Sequence, residues 1–271
     1  MSFISFLISG ISLGSIYALI ALGYTMVYGI AKMLNFAHGD VIMVGGFVVF
    51  TSMTTMGQPV WFSILLGMVV CTVLGVVIEK IAYKPLRNAS SLSVLITAIG
   101  VSYLLQNVAL LIFGSSSQNF QSVVTIPAIR INDQLTITGE TIVTIVVTVV
   151  IMVGLTLFIN RTKPGQAMLA VSEDRGAAQL MGVNVNGTIS LTFAIGSALA
   201  AVAGVLLCSM YPQINAYTGQ MPGNKAFIAA VFGGIGSIPG AMIGGILLGV
   251  IENLSRAYIS SQLSDAIVFA V

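Results

Sequence analysis

The chain has 271 residues, 57% of them apolar and only 7% charged, with a formal net charge of +2 and a mean hydropathy of +1.04. A soluble domain carries about 25% charged residues, so a water-facing surface is excluded and the bilayer is the main solvent. The +2 charge forms no basic stripe that would hold nucleic acid.

In chain order, apolar runs close to the ~20 residues needed to cross the hydrocarbon core fall at 5–29, 36–54, 61–79, 92–113, 142–159, 189–209, 226–251 and from 263 onward. The expected fold is an all-α membrane protein, one transmembrane domain over 1–271. It is a polytopic bundle of about eight transmembrane helices, with broken or re-entrant segments and a short cytoplasmic helix. No Lys or Arg precedes the first run, which is too long for a signal-peptide core and is expected to be retained. The last run stops at Val271, too short to span, so the natural chain is expected to continue or the final helix to be incomplete.

Orientation follows from Lys and Arg in short loops. Lys32, Lys80, Lys84, Arg87, Arg161, Lys163 and Arg175 fall in one set of alternate loops, and only Arg130 and Lys225 in the other. The loop around 160–188 is therefore expected in the cytoplasm and the N-terminus outside. In the outer stretch 114–141, "VTIPAIRINDQLTIT" alternates about Asn132-Asp133, with Ile129, Ile131, Leu135 and Ile137 on one side. That predicts a hairpin with a two-residue turn, serving as a lid over helix ends or as a docking surface for an external partner.

Several small residues recur at four-residue spacing: Gly10 and Gly14; Gly196, Ala200 and Gly204; Gly240 and Gly244; Gly245 and Gly249. Such spacing lets helix backbones approach closely in lipid. Cys71 and Cys208 lie in apolar runs and read as buried small hydrophobes. Glu79 and Lys80 read as interfacial residues at a helix end, and Glu252 and Arg256, four apart, as a pair on one helix face.

Two breaks interrupt the apolar runs. "LNFAHGD" holds Asn35, Phe36, the only histidine His38, Gly39 and Asp40; "FGGIGSIPG" holds Gly233, Gly234, Gly236, Ser237, Pro239 and Gly240. Broken helices at membrane depth are tolerated where they line a cavity or are buried in protein. Their exposed ends suit a carboxylate at N–H groups and an ammonium at C=O groups, and an amino acid carries both. These residues are the candidate substrate pathway, and Tyr17, Tyr24 and Tyr28 add a lining that suits a small solute. The other reading of His38 and Asp40 is an inner-surface turn in which Asp40 caps the next helix.

The third feature is "AVSEDRGAAQLMGVNV", residues 170–185. Ser172 suits an N-cap, Glu173 and Asp174 suit the positive end of a helix dipole, and Gly182 suits a left-handed residue past the helix end. The segment predicts a helix over 173–181, with Ala177, Leu180 and Met181 on one face. A helix this short is marginal alone. Either its own membrane domain holds it, or a soluble partner does.

"VSEDRGAAQLMGVN" resembles the cytoplasmic coupling loop of ABC importer permeases. Three longer stretches, "LGSIYALIALGYTMVYGIAKMLNFAHGDVIMVGGF", "EDRGAAQLMGVNVNGTISLTFAIGSALAAVAGVLL" and "KAFIAAVFGGIGSIPGAMIGGILLGVIENL", resemble the branched-chain amino acid ABC transporter permeases over nearly the whole chain. The resemblance implies an inner-membrane transport subunit whose small amino-acid substrate is delivered by an extracytoplasmic binding protein. It also implies a homologous second permease and two ATP-binding cassette subunits. Ser172, Glu173, Asp174, Arg175, Ala177, Ala178, Leu180, Met181 and Gly182 would then contact the ATPase. The family commonly has an acidic or helix-forming residue at Gly176, where glycine costs up to ~1 kcal/mol of helix propensity.

The chain has no GxxxxGK[ST] phosphate loop, so ATP would be used by partner subunits and no cofactor is expected here. One histidine, no clustered metal ligands and no nucleophile beside a base argue against an enzyme. Two other readings stand beside the leading one: a urea or short-amide importer permease, and a self-contained channel or ion-coupled carrier with 173–181 only a surface helix.

Overall fold

The computed structural model describes residues 3–87, 89–132 and 135–271. The chain runs through α1 (Phe3–Ala31), α2 (His38–Thr54), α3 (Val60–Ile78), a π-turn over Glu79–Tyr83 and a 3-10 turn over Lys84–Leu86. Next come α4 (Ser91–Phe113), β1 (Gln118–Asn119), β2 (Ile129–Asn132), β3 (Leu135–Ile137), α5 (Gly139–Arg161), α6 (Lys163–Glu173) and α7 (Arg175–Leu180). The chain closes with α8 (Val185–Met210), β4 (Gln213–Ile214), α9 (Gln220–Phe232), α10 (Ile238–Tyr258) and α11 (Ser264–Ala270). Among the described residues, six helices are long and apolar enough to cross a membrane: α1, α3 with its π-turn, α4, α5, α8 and α10; α2 is a shorter apolar helix.

α1 and α8 form the centre, buried along most of their length, whereas α3, α4 and α5 expose broad apolar faces that suit lipid. The regularly spaced glycines set how closely α1 and α10 meet. A Cβ on Gly14 would stand 2.6 Å from the Ile246 Cα, and one on Gly10 would stand 2.9 Å from the Val250 Cα. Backbone meets backbone, so dispersion contacts replace the hydrophobic drive that lipid does not supply.

β2 and β3 form an antiparallel hairpin with Ile129 opposite Ile137 and Asn132 opposite Leu135. The two-residue turn expected at Asn132-Asp133 falls on Asp133, which with Gln134 lies outside the described residues. β1 pairs with β4, tying the loop after α4 to the segment after α8.

The run 226–251 is two helices, interrupted within the break read at "FGGIGSIPG", because Gly234 (φ +88) and Gly236 (φ +99) take left-handed backbone between α9 and α10. Ser237 then caps α10, accepting from the Gly240 N–H at 3.2 Å, with Pro239 in the first turn. The helix expected over 173–181 is shorter: α7 covers Arg175–Leu180, and Glu173 ends α6. Asp174 is extended (φ −148), and its Oδ1 accepts from the N–H groups of Gly176 (2.7 Å) and Ala177 (3.0 Å). The carboxylate is thus the N-cap of α7, while Ser172 lies in the last turn of α6 and its hydroxyl donates to the Leu169 carbonyl. Glu79, at the end of α3, is fully buried, held by Arg87 and by the Ser190 hydroxyl at 2.6 Å.

A second buried acid joins α9, α10, α11 and α1. Glu252 accepts from Lys225 Nζ (2.8 Å), from the Tyr17 hydroxyl (2.7 Å) and from Arg256, and Lys225 also reaches Asp265 (2.6 Å). Lys225 is therefore no outer-loop residue; it is buried in α9. Removing one partner of a buried ion pair costs about 3–5 kcal/mol, while replacing the pair by apolar residues is often neutral. Glu252→Leu alone is expected to lower the thermal midpoint of the purified protein sharply, and adding Lys225→Met and Arg256→Met to recover most of it.

Candidate functional site

The first break stands where α2 begins inside the bundle. The Asn35 carbonyl accepts from the His38 N–H at 3.1 Å, and the Asn35 Oδ1 accepts from the buried Tyr83 hydroxyl at 2.9 Å. His38, first residue of α2, is buried with its ring edge-on to Tyr24 at 4.8 Å, in the space left by the absent Cβ of Gly23. Its Nε2 has no partner among the described residues. Two residues on, Asp40 is buried and accepts from Gln106 Nε2 of α4 at 2.9 Å.

Asp40 does not cap α2 through its side chain. It lines a cavity of about 250 Å³ with Tyr24, Phe36, Gly39, Leu95, Ile99, Ser102, Tyr103, Gln220 and Asn224. Gly39 brings α9 to this place: a Cβ there would stand 2.7 Å from the Gly219 carbonyl oxygen. The N-termini of α2 and α9 therefore meet beside one carboxylate, with amide and hydroxyl groups opposite and aliphatic side chains from α4. Such a cavity can hold an ammonium at Asp40, direct a carboxylate toward backbone N–H groups, and pack an alkyl chain against Leu95 and Ile99.

The second break does not open onto the same cavity. Gly233, Gly234, Gly236, Ser237, Pro239 and Gly240 form the α9–α10 turn, and Gly233 and Gly240 pack backbone to backbone. Gly236 and Ser237 line another cavity, of about 590 Å³, with Gly29 and Lys32 of the α1 end and Met168, Ser172 and Glu173 of α6. α9 links the two regions, since Phe227 packs on Tyr24 (5.8 Å) and Phe36 (5.2 Å).

The third predicted feature lies at the basic end of the bundle. Arg175 donates from its guanidinium to the Ala31 carbonyl at the end of α1. Burial, and then the like charge of Arg87, lower its pKa from the ordinary arginine value. Ala178 is buried against the body, whereas Leu180 and Met181 are 90% and 84% exposed. Gly182 (φ +84) ends α7 as expected. Ala177 is exposed, so Ala177, Leu180 and Met181 offer an apolar face outside the spanning helices.

The family described as "Branched-chain amino acid transport system / permease component" matches residues 6–271. The chain belongs to this family. It is 46% identical to the Escherichia coli (strain K12) high-affinity branched-chain amino acid transport system permease protein LivH, across 99% of this chain and 91% of that one. It is 44% identical to BraD of Pseudomonas aeruginosa (98% and 90%) and 32% identical to a probable LivH permease of Methanocaldococcus jannaschii (91% and 79%). It is a permease component of a branched-chain amino acid transport system, and its long apolar helices suit a multi-pass membrane protein.

Sequence reasoning missed the α4 and α9 side of the permease's Asp40 cavity. Ser102 and Gln106 are polar, four apart and inside an apolar run, which was a signal to look for a buried partner. Gln220 and Asn224 lie between the apolar runs 189–209 and 226–251, outside any expected span.

Proposed function

We propose that this permease passes a branched-chain amino acid beside Asp40, through the space between α2, α4 and α9, and is driven by separate ATPase subunits gripping α7. The ATPase contact comprises Asp174, Arg175, Ala177, Ala178, Leu180, Met181 and Gly182, with Ser172 and Glu173 at the end of α6. The remaining parts are a homologous second permease, two ATP-binding cassette chains and an extracytoplasmic binding protein that selects the substrate. The basic end faces the cytoplasm, because its Lys and Arg obey the positive-inside rule.

The observation that carries this reading is the cavity itself, where a buried carboxylate, two helix N-termini and an aliphatic wall lie within one small volume. A free amino acid needs all three. Asn35, Phe36, His38 and Gly39 shape the near side of the path. Gly233, Gly234, Gly236, Ser237, Pro239 and Gly240 form the turn at its cytoplasmic end.

Ser102 is only partly buried and lines the cavity, while the native thiols Cys71 and Cys208 are buried. In the reconstituted importer, Ser102→Cys is expected to transport normally and to lose uptake on treatment with a small thiol reagent. Excess leucine supplied with its binding protein should slow that loss. Complete labelling of the introduced thiol with uptake left intact would remove the pathway from this cavity.

A further inference from the structure

A different cavity, of about 390 Å³, opens where α1 ends and α4 begins, and Lys32, Arg87 and Arg175 all line it. No acid lines it among the described residues. Glu79, outside the lining, is buried against Arg87, whereas Lys32 and Arg175 form no ion pair among the described residues; Glu173 shares the neighbouring cavity of about 590 Å³ with Lys32 but is not paired with it. Arg87 keeps a buried Nε without a partner. Lys32, exposed at its rim, makes no side-chain hydrogen bond or ion pair among the described residues and stands in left-handed backbone (φ 51).

Like charges brought together at a partly desolvated place repel, and the lowered Arg175 pKa has that repulsion as its second cause. An arrangement of this kind is relieved by an anion. The N-terminus of α4, a 23-residue helix, adds its positive dipole end at Ser91. The remaining wall is apolar, from Leu34, Leu86 and Val94. Both the height and the wall matter. The site lies at the ends of two spanning helices, where headgroups meet water, and cations above an apolar wall match an amphiphile better than a soluble ion.

We propose that this cavity binds the phosphate of an anionic phospholipid, held by Lys32, Arg87 and Arg175, with the start of its acyl chains against Leu34, Leu86 and Val94. The inference is independent of the path assigned to the substrate. Arg175 opens α7 and Lys32 follows α1, so a bound headgroup bridges the short helix and the segment leading to α2.

The test uses the purified importer complex, delipidated in detergent, with lipids counted by native mass spectrometry. Short-chain phosphatidylglycerol, phosphatidylcholine of equal chain length and inorganic phosphate are titrated separately and in competition. Phosphatidylglycerol is expected to bind at least about tenfold more tightly than phosphatidylcholine. Lys32→Gln should weaken it about fivefold, the effect of one basic residue at a charged lipid surface, and Lys32→Arg should restore it. Inorganic phosphate should compete only at far higher concentration. Equal binding of the two lipids, or a Lys32→Gln complex that binds phosphatidylglycerol as the parent does, overturns the proposal. Phosphate as potent as the lipid overturns it in favour of a soluble anion. Unchanged lipid binding with loss of the ATPase subunits in Lys32→Gln overturns it in favour of an acidic protein contact.

Discussion

In the assembled importer, Ala177→Arg with Leu180→Glu is expected to reduce leucine uptake at least about a hundredfold while the permease still inserts and accumulates. Burying a leucine side chain in a partner's groove contributes about 1.5–3 kcal/mol. A charge carried into that groove without a counter-ion costs several kcal/mol more, and each 1.4 kcal/mol is about a factor of ten in association. Neither residue supports the permease's own body. Both are exposed, whereas the helix is held by Ala178 from beneath, by the Arg175 contact to Ala31 and by the Asp174 cap. ATP hydrolysis by the complex, uptake into vesicles and co-purification of the ATPase are the measurements. Loss of co-purification with uptake, or continued hydrolysis without uptake, is the expected pattern. Uptake within twofold of the parent would leave α7 as a surface helix with no motor on it.

What the sequence disclosed depended on the range of each interaction. Apolar run length located the long helices α1, α3, α4, α5 and α8, since the bilayer imposes it residue by residue, but it counted about eight spans where six helices among the described residues are long and apolar enough, α2 and α11 being shorter; the four-residue glycine spacing anticipated the close meeting of α1 and α10 at Gly10 and Gly14. Local chemistry misled where two groups competed for one task. Both Ser172 and Asp174 suit an N-cap, and the choice fell to Asp174 because α6 continues through Glu173. Long-range partners were out of reach. Glu79 and Arg87 are eight residues apart with a π-turn between them, and Lys225 finds Glu252 and Asp265 only once α9 has folded back on α10. Asp40 was visible as an acid at a helix break, but its partner Gln106 lies 66 positions away on α4.

That partner makes Asp40→Asn the sharpest test of the pathway. Asparagine keeps an oxygen to accept from Gln106 Nε2 and nearly the same volume, so the α2–α4 link persists while the negative charge disappears. A substrate ammonium entering the cavity gives up water, and a hydrogen bond to a charged acceptor contributes about 1.5–3 kcal/mol. Removing that charge is expected to cut uptake by about 10- to 150-fold, from the same free energies. The thermal midpoint should move little, and ATPase activity should remain coupled to whatever substrate passes. Asp40→Ala separates the two roles, since it also strands the Gln106 amide in a buried place, which costs about 1–3 kcal/mol of stability. If Asp40→Asn transports as the parent does and only Asp40→Ala fails, Asp40 is a bracket between α2 and α4, and the substrate crosses elsewhere.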